Sequence, residues 1–320
     1  MTTHIYYHAD LDGFASGAIA ALGLTEKCNA LIYDIYMHKI QYGDPFDPEG
    51  LIDRAKDQII MVDFTLQNDE EMLDLLQHTN MIWIDHHKTS LDFFNKYADS
   101  FEREETVVIV DTSKAACELA WEFFFKSEAP LAIQLIGAYD MWKKKDSGFD
   151  WEIEVLPFQI QMNHARGTSD PGRCNSINWW KDFLYKNHGS KVREIIESGK
   201  QLISFQEGIY KDIALEGAYE ARFCGEYNAI CLNTPIFNSR VFEAALDVSQ
   251  YDLMVAYAYL GDKWKVSLYT VKDHVPCGDL SRKLGHEGPY KTGGGHPRAA
   301  GFLTTYELLN SYIEPRGTLL

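Results

Sequence analysis

Met81-Ile-Trp-Ile84-Asp85-His86-His87 is the stretch on which the fold turns. Four apolar residues in a row are too few for a buried helix and read as a strand covered on both faces. An acid and two imidazoles directly after such a run are unfavourable to place unless they bind something. The same figure occurs twice upstream. Ile5-Tyr-Tyr7 runs into His8-Ala-Asp10-Leu-Asp12, and Ile59-Ile-Met-Val62 runs into Asp63. In open parallel sheets ligands bind beyond the carboxyl ends of the strands, so three clusters far apart in sequence are expected to converge at one sheet edge.

The rest of the first half alternates in the same manner, as an α/β domain does. Strands are expected at residues 31–36 and 107–110. Helices are expected from Gly13 to Leu24, Asn68 to Gln77, Ser113 to Phe125 and Pro130 to Ala138. Residues 151–180 carry Gly, Pro, Asn and aromatic residues without a readable period. A long helix is expected over 192–215, after which the rhythm changes. Strands are expected over 219–223, 229–232, 253–259 and 264–269, with Gly261-Asp262 as a hairpin turn and helices near 237–246 and 278–283. The fold class is therefore α/β, with an N-terminal, predominantly parallel-sheet domain over residues 1–190, a helical connector over 191–215 and a smaller mixed α/β domain over 216–320.

The chain has 320 residues, 46% of them hydrophobic, and a formal net charge of −17 from 47 acidic and 30 basic residues. Such a surface repels a long polyanion and argues against binding of long duplex nucleic acid. A short phosphorylated substrate stays open, because bound divalent metals reverse the local field. The apolar stretches are too short to span a bilayer. The N-terminus carries no basic region followed by an apolar run, and the six scattered cysteines show neither disulfide framework nor zinc spacing. A cytoplasmic protein without a membrane role is the expectation.

Each cluster allows two readings. Asp12 is placed either to ligate a cation or to cap the helix that starts near Gly13. Asp63 can cap a turn. Asp140, after an apolar helix, stands at that helix's negative end, where a carboxylate is disfavoured unless a cation relieves it. Hard oxygens mixed with imidazoles suit two divalent ions, Mn²⁺ in preference to Mg²⁺. Two such ions about 3.5–4 Å apart can share a carboxylate, activate water and stabilise an in-line phosphoryl displacement. Near the C-terminus, Gly293-Gly294-Gly295-His296 lacks phosphate-loop and dinucleotide spacing. It reads either as a tight loop or as an anion grip of backbone N–H groups, with His296 as a further donor and Arg298, Lys291, Arg282 and Arg240 as candidate phosphate contacts.

Taken in order, His8-Ala-Asp10-Leu-Asp12-Gly13, Val62-Asp63, Asp85-His86-His87 and Asp140 resemble the motifs of the DHH phosphoesterase superfamily, and Gly293 to Gly301 resembles the signature of the DHHA1 domain that accompanies it. The resemblance implies a DHH domain followed by a DHHA1-like domain. It implies one Mn²⁺ near His8, Asp10 and Asp63 and another near Asp12, Asp63, His86 and Asp140, with Asp63 bridging, Asp85 orienting the histidine pair and His87 contacting phosphate or supporting the ligands. Some relatives place the first histidine farther upstream, where this chain has His4. The branch it resembles is that of the nanoRNases, which implies release of nucleoside monophosphates from very short oligoribonucleotides or linear dinucleotides, with Gly293 to His296, Arg298 and Arg240 gripping the substrate. A phosphatase for 3′-phosphoadenosine 5′-phosphate, a cyclic-dinucleotide phosphodiesterase and a polyphosphatase would use the same metal chemistry. A catalytically silent nucleotide-binding regulator is the non-enzymatic alternative. A homodimer through the first domain is compatible with the sequence.

Overall fold

The structure is a computed structural model that describes residues 2–27, 34–46, 53, 56–100, 105–186 and 188–318. The chain divides into two compact units, Met1–Leu202 and Ile203–Leu320.

In the first unit, β1 (Thr3–His8) leads into α1 (Leu11–Lys27), followed by β2 (Ile35–Ile40), β3 (Gln58–Val62), α2 (Asp69–His78), β4 (Asn80–Asp85), α3 (Lys88–Tyr97), β5 (Val107–Val110), α4 (Ala116–Phe125) and α5 (Leu131–Asp140). The strands form one sheet in the order β2-β1-β3-β4-β5, every pairing parallel. Successive side chains of a strand point to opposite faces, and the core divides accordingly. Ile5, Tyr7, Ile60, Val62, Ile82 and Ile84 pack with residues of α1, α4 and α5. Tyr6, Ile59, Met61, Met81 and Trp83 pack with α2 and α3 on the other side. Burial on both faces explains why these strands read as unbroken apolar runs rather than alternating ones.

Several expectations are corrected here. Residues 31–33 lie outside the described residues, and the strand expected over 31–36 is found at Ile35–Ile40. The helix expected from Ser113 starts at Ala116, and the one expected from Pro130 runs on to include Asp140. The unassigned residues 151–180 are helical: a π turn over Trp151–Val155, then α6 (Leu156–His164), α7 (Arg166–Ser169) and α8 (Ser176–Tyr185). Pro157, Pro171 and Gly172 cut this stretch into pieces too short to show a period. The pieces are held by tertiary bonds instead. The Trp180 indole donates to the Ser169 carbonyl at 2.8 Å, and Asp170 accepts from the Tyr7 hydroxyl and the Lys39 ammonium, both at 2.7 Å.

Helix α9 (His188–Gly217) runs 30 residues through the boundary between the units. The second unit continues with β6 (Tyr219–Phe223), β7 (Tyr227–Asn233), α10 (Arg240–Glu243), β8 (Leu253–Tyr259), β9 (Trp264–Tyr269), α11 (Cys277–Glu287), β10 (Gly293–His296), β11 (Ala299–Thr304), α12 (Tyr306–Tyr312) and β12 (Ile313–Thr318). Its seven strands form a mixed sheet in the order β10-β11-β9-β8-β7-β6-β12, with β7 and β8 parallel and the other pairs antiparallel. The helix expected over 237–246 is only the short α10.

The glycine run is an edge strand rather than a loop. Glycine's poor strand propensity hid it, but packing requires the missing side chains: a Cβ on Gly293 would stand 2.2 Å from the Ser281 carbonyl oxygen of α11, and one on Gly285 would stand 1.7 Å from that of Thr292. The cations expected to contact phosphate have protein partners. Arg298 pairs with Asp273, Arg240 with Glu207 and Arg282 with Asp279, while Lys291 donates to the His286 carbonyl. Among the described residues, no helix is long and apolar enough to cross a membrane.

Candidate metal centre

The order β2-β1-β3-β4-β5 reverses between β1 and β3, and the crevice beyond their carboxyl ends is where an open α/β sheet takes its ligand. His8 ends β1, Asp63 follows β3, and Asp85 ends β4 with His86 and His87 next in the chain. Asp10 and Asp12 come from the start of α1 and Asp140 from the last residue of α5. The clusters that the sequence keeps apart meet here.

Two sets of donor atoms, each set within a span of 4.8 Å, are His8, Asp10 and Asp63, and Asp12, His86 and Asp140; a third, Asp63, Asp85, His86 and His87, overlaps both. His8 Nδ1 lies 2.8 Å from Asp10 Oδ2 and 3.6 Å from Asp63 Oδ2. His86 Nε2 lies 3.2 Å from Asp63 Oδ1, 3.2 Å from Asp140 Oδ2 and 3.7 Å from Asp12 Oδ2. Asp63 thus turns one oxygen to each histidine. It is 1% exposed, and neither oxygen has a hydrogen-bond partner. Buried carboxylate oxygens left without a hydrogen bond are a large penalty for a fold to carry, and bound cations would remove it.

The backbone at Asp63 is also unusual, with φ at 56°, left-handed for a residue other than glycine. Such strain collects at functional sites. Burial pushes the Asp63 carboxyl well above the ordinary carboxylate range. Burial does the same to Asp12, reinforced by the negative charges of Asp63 and Asp140, and it raises Asp140. Burial also opposes the charged forms of Asp10 and His8, yet their contact outweighs it: Asp10 is held low, and His8, between Asp10 and Asp63, is raised to about 10. Crowded carboxylates that resist ionisation together are what divalent cations neutralise.

Asp12 does not cap its own helix. It lies inside the first turn of α1, and its two oxygens accept the backbone N–H groups of Cys117 and Ala116 at 2.9 Å each, closing the open end of α4 104 and 105 residues away. Asp10 accepts the Gly13 N–H at 2.9 Å instead. Gly13 is required because a Cβ there would stand 2.2 Å from the His8 carbonyl oxygen.

Asp85 is fully buried and saturated with donors. Its Oδ1 accepts the backbone N–H groups of His86 and His87 at 2.7 and 3.2 Å and lies 2.7 Å from His87 Nδ1, while Thr65 and Ser90 hydroxyls reach Oδ2 at 2.6 Å each. Burial would raise this carboxyl, but those donors overcome it and hold it at about 2. Asp85 is therefore a fixed anion that aims the histidine pair. With Nδ1 engaged, His87 has only Nε2 to offer outward, and although burial opposes its charge, the bond to Asp85 raises its pKa.

Four contributors escaped the sequence reading. Gln41 Oε1 stands 2.9 Å from His8 Nε2. Tyr42 stacks on Phe64 at 4.9 Å between ring centroids and sets its ring 5.3 Å from His8 and 6.2 Å from His87. Thr65 and Ser90 hold Asp85, as above. His4, the alternative first-motif histidine, lies elsewhere in β1, its Nδ1 3.0 Å from His38 Nε2.

A doubly wound domain with a carboxylate and histidine centre at its switch point is the class of protein that fold and site define. Residues 2–139 match the DHH family, N-terminal domain, a family whose members are phosphoesterases. A comparison of the sequence with curated proteins found no match. Among solved structures, the chain is similar to a DHH domain described as a member of the s1p family of ribosomal proteins, with 14% identity and a TM-score of 0.57 over 97% of this chain and 85% of that one. That likeness is one of fold. It is also similar to the exonuclease RecJ bound to manganese (16% identity, TM-score 0.49, 97% and 88% covered) and to PggH, a pGpG-specific phosphodiesterase from Vibrio cholerae (13%, 0.47, 97% and 95%).

Proposed function

We propose that this protein is a two-metal phosphodiesterase that releases nucleoside monophosphates from very short oligoribonucleotides or linear dinucleotides, with Mn²⁺ as its preferred ion. The observation that carries this reading is Asp63, whose two buried oxygens, neither in a hydrogen bond, face two different sets of donors. His8 and Asp10 would hold one ion with Asp63; Asp12, His86 and Asp140 would hold the other with it. Mixed imidazole and carboxylate donors favour Mn²⁺ over Mg²⁺. Ions bound there supply an acidified water and charge to offset that on phosphoryl oxygens.

The chain's own residues do the rest. Asp85 keeps His87 oriented and inclined to its protonated form, so that Nε2–H is a donor for a phosphoryl oxygen. The net charge of −17 disfavours long polyanions and leaves short substrates. The second unit is the substrate-gripping domain in this reading, with Gly293, Gly294, Gly295, His296, Arg298 and Arg240 as its contacts. The two arginines would exchange Asp273 and Glu207 for phosphate.

The test is incubation of metal-stripped protein with a 5′-phosphorylated RNA dinucleotide, with and without Mn²⁺, and chromatography of the products. Mononucleotide release that needs Mn²⁺ and disappears in Asp63→Ala is expected. A folded, Mn²⁺-loaded chain that leaves the dinucleotide intact would overturn the substrate assignment.

A further inference from the structure

We propose that the indole of Trp142 is a stacking face for a nucleobase of the substrate. This rests on the reading of the neighbouring centre as the seat of the phosphate.

Trp142 is the second residue beyond Asp140. Its Cα lies within about 7 Å of that of Asp140, the most that two residues can span, and the intervening Met141 has its Sδ 3.2 Å from His86 Nδ1. The backbone there is left-handed, with φ at 53°, an unfavourable conformation for a bulky side chain. Three backbone bonds hold it: the Trp142 N–H donates to the Tyr139 carbonyl at 3.0 Å, the Lys143 N–H to that of Ala138 at 2.9 Å, and the Lys144 N–H to that of Trp142 at 2.8 Å.

This strain does not bury the ring. Trp142 is 61% exposed, whereas Trp151 beside it is 8% exposed. Yet the ring is not loose. It meets Trp151 at 5.0 Å and 68° and Tyr139 at 6.0 Å and 72°, and those two stack on each other at 5.4 Å and 10°. The Lys144 ammonium sits over the indole, 4.4 Å from its centroid. A large flat ring held in a strained turn two residues from Asp140, braced by Trp151, Tyr139 and the Lys144 ammonium and still mostly exposed, is organised in advance for stacking on another flat ring. Inorganic phosphate and polyphosphate offer none, so this residue selects nucleotides over them.

The experiment titrates the Mn²⁺-loaded full chain and its Trp142→Ala and Trp142→Phe variants with adenosine 5′-monophosphate and, separately, with inorganic phosphate, by calorimetry. Trp142→Ala is expected to weaken the nucleotide about 10-fold or more and leave phosphate unchanged, while Trp142→Phe keeps most of the affinity. Equal nucleotide affinity in wild type and Trp142→Ala, or equal weakening of both ligands, would overturn the proposal; the second result would make the turn a mere support for Asp140. A prior Mn²⁺ titration of the wild type separates the two inferences. A chain that takes up no Mn²⁺ defeats the metal reading and this one with it, whereas a loaded wild type that ignores the nucleotide defeats this one alone.

Discussion

Gln41 Oε1 lies 2.9 Å from His8 Nε2, on the side of the imidazole away from Asp10 and Asp63. A glutamine oxygen accepts, so the bond keeps a proton on Nε2 and leaves Nδ1, beside the carboxylates, as the nitrogen that gives up its proton when a cation binds. Gln41→Leu should weaken Mn²⁺ binding by about 10- to 100-fold, and Gln41→Glu, which keeps an acceptor, should restore most of it. Equal calorimetric affinities for wild type and Gln41→Leu would refute the role.

Asparagine tolerates the left-handed backbone of Asp63, so Asp63→Asn removes charge without adding strain. In the fold, burial lifts this carboxyl well above its ordinary pKa; unfolded, it ionises near the usual value. Metal-free wild type should therefore lose stability as pH rises above that usual value, because the unfolded chain releases a proton that the folded one retains. Asp63→Asn should escape this loss, and Mn²⁺ should raise the melting temperature of the wild type only. A variant whose melting temperature still climbs with Mn²⁺ would mean that Asp63 is no ligand.

Asp170 joins the helical stretch after α5 to β1 and β2 through Tyr7 and Lys39. Asp170→Ala strands the buried Tyr7 hydroxyl and should cost about 2–4 kcal/mol in urea unfolding. A loss under about 0.5 kcal/mol, the level of an ordinary surface change, would show that the stretch is anchored by its aromatic packing alone.

His4 and His38 stack with ring centroids 5.2 Å apart. Burial, and then the like charge of His4, push His38 down to about 4; burial also lowers His4. Both should be neutral in the fold at pH 7, while the unfolded chain takes up protons below about 6.5. Their contribution to stability is thus complete above pH 6.5 and lost as pH falls toward 4. Melting curves of His38→Asn should fall less steeply over that window than those of wild type. Parallel curves would place the acid sensitivity elsewhere.

Much of this cluster was legible because several of its residues close a strongly apolar strand or helix. His8, Asp63 and Asp85 stand out against Ile5 to Tyr7, Ile59 to Val62 and Met81 to Ile84, and a parallel sheet gathers strand ends. Gln41 and Tyr42 were not legible. They follow an edge strand whose polar sequence, Ile35-Tyr-Met-His-Lys-Ile40, has no buried run to mark it. The cap reading of Asp12 fails for a different reason: its spacing suits a cap, but the N–H groups it satisfies belong to α4, which no local rule can connect to residue 12. The strand at Gly293 was hidden because close approach to α11 demands the residue least suited to strands.

Metal binding at Asp63 would also shape how the chain matures. Its companions lie between His8 and Asp140, so a nascent chain emerging N-terminus first holds an incomplete claw until α5 has docked. Ions captured at that point would rivet β1, the exits of β3 and β4, α1 and α5 to one another. Metal uptake would then be the closing act of folding for the first unit, and release of the ions would unfasten its five elements at once.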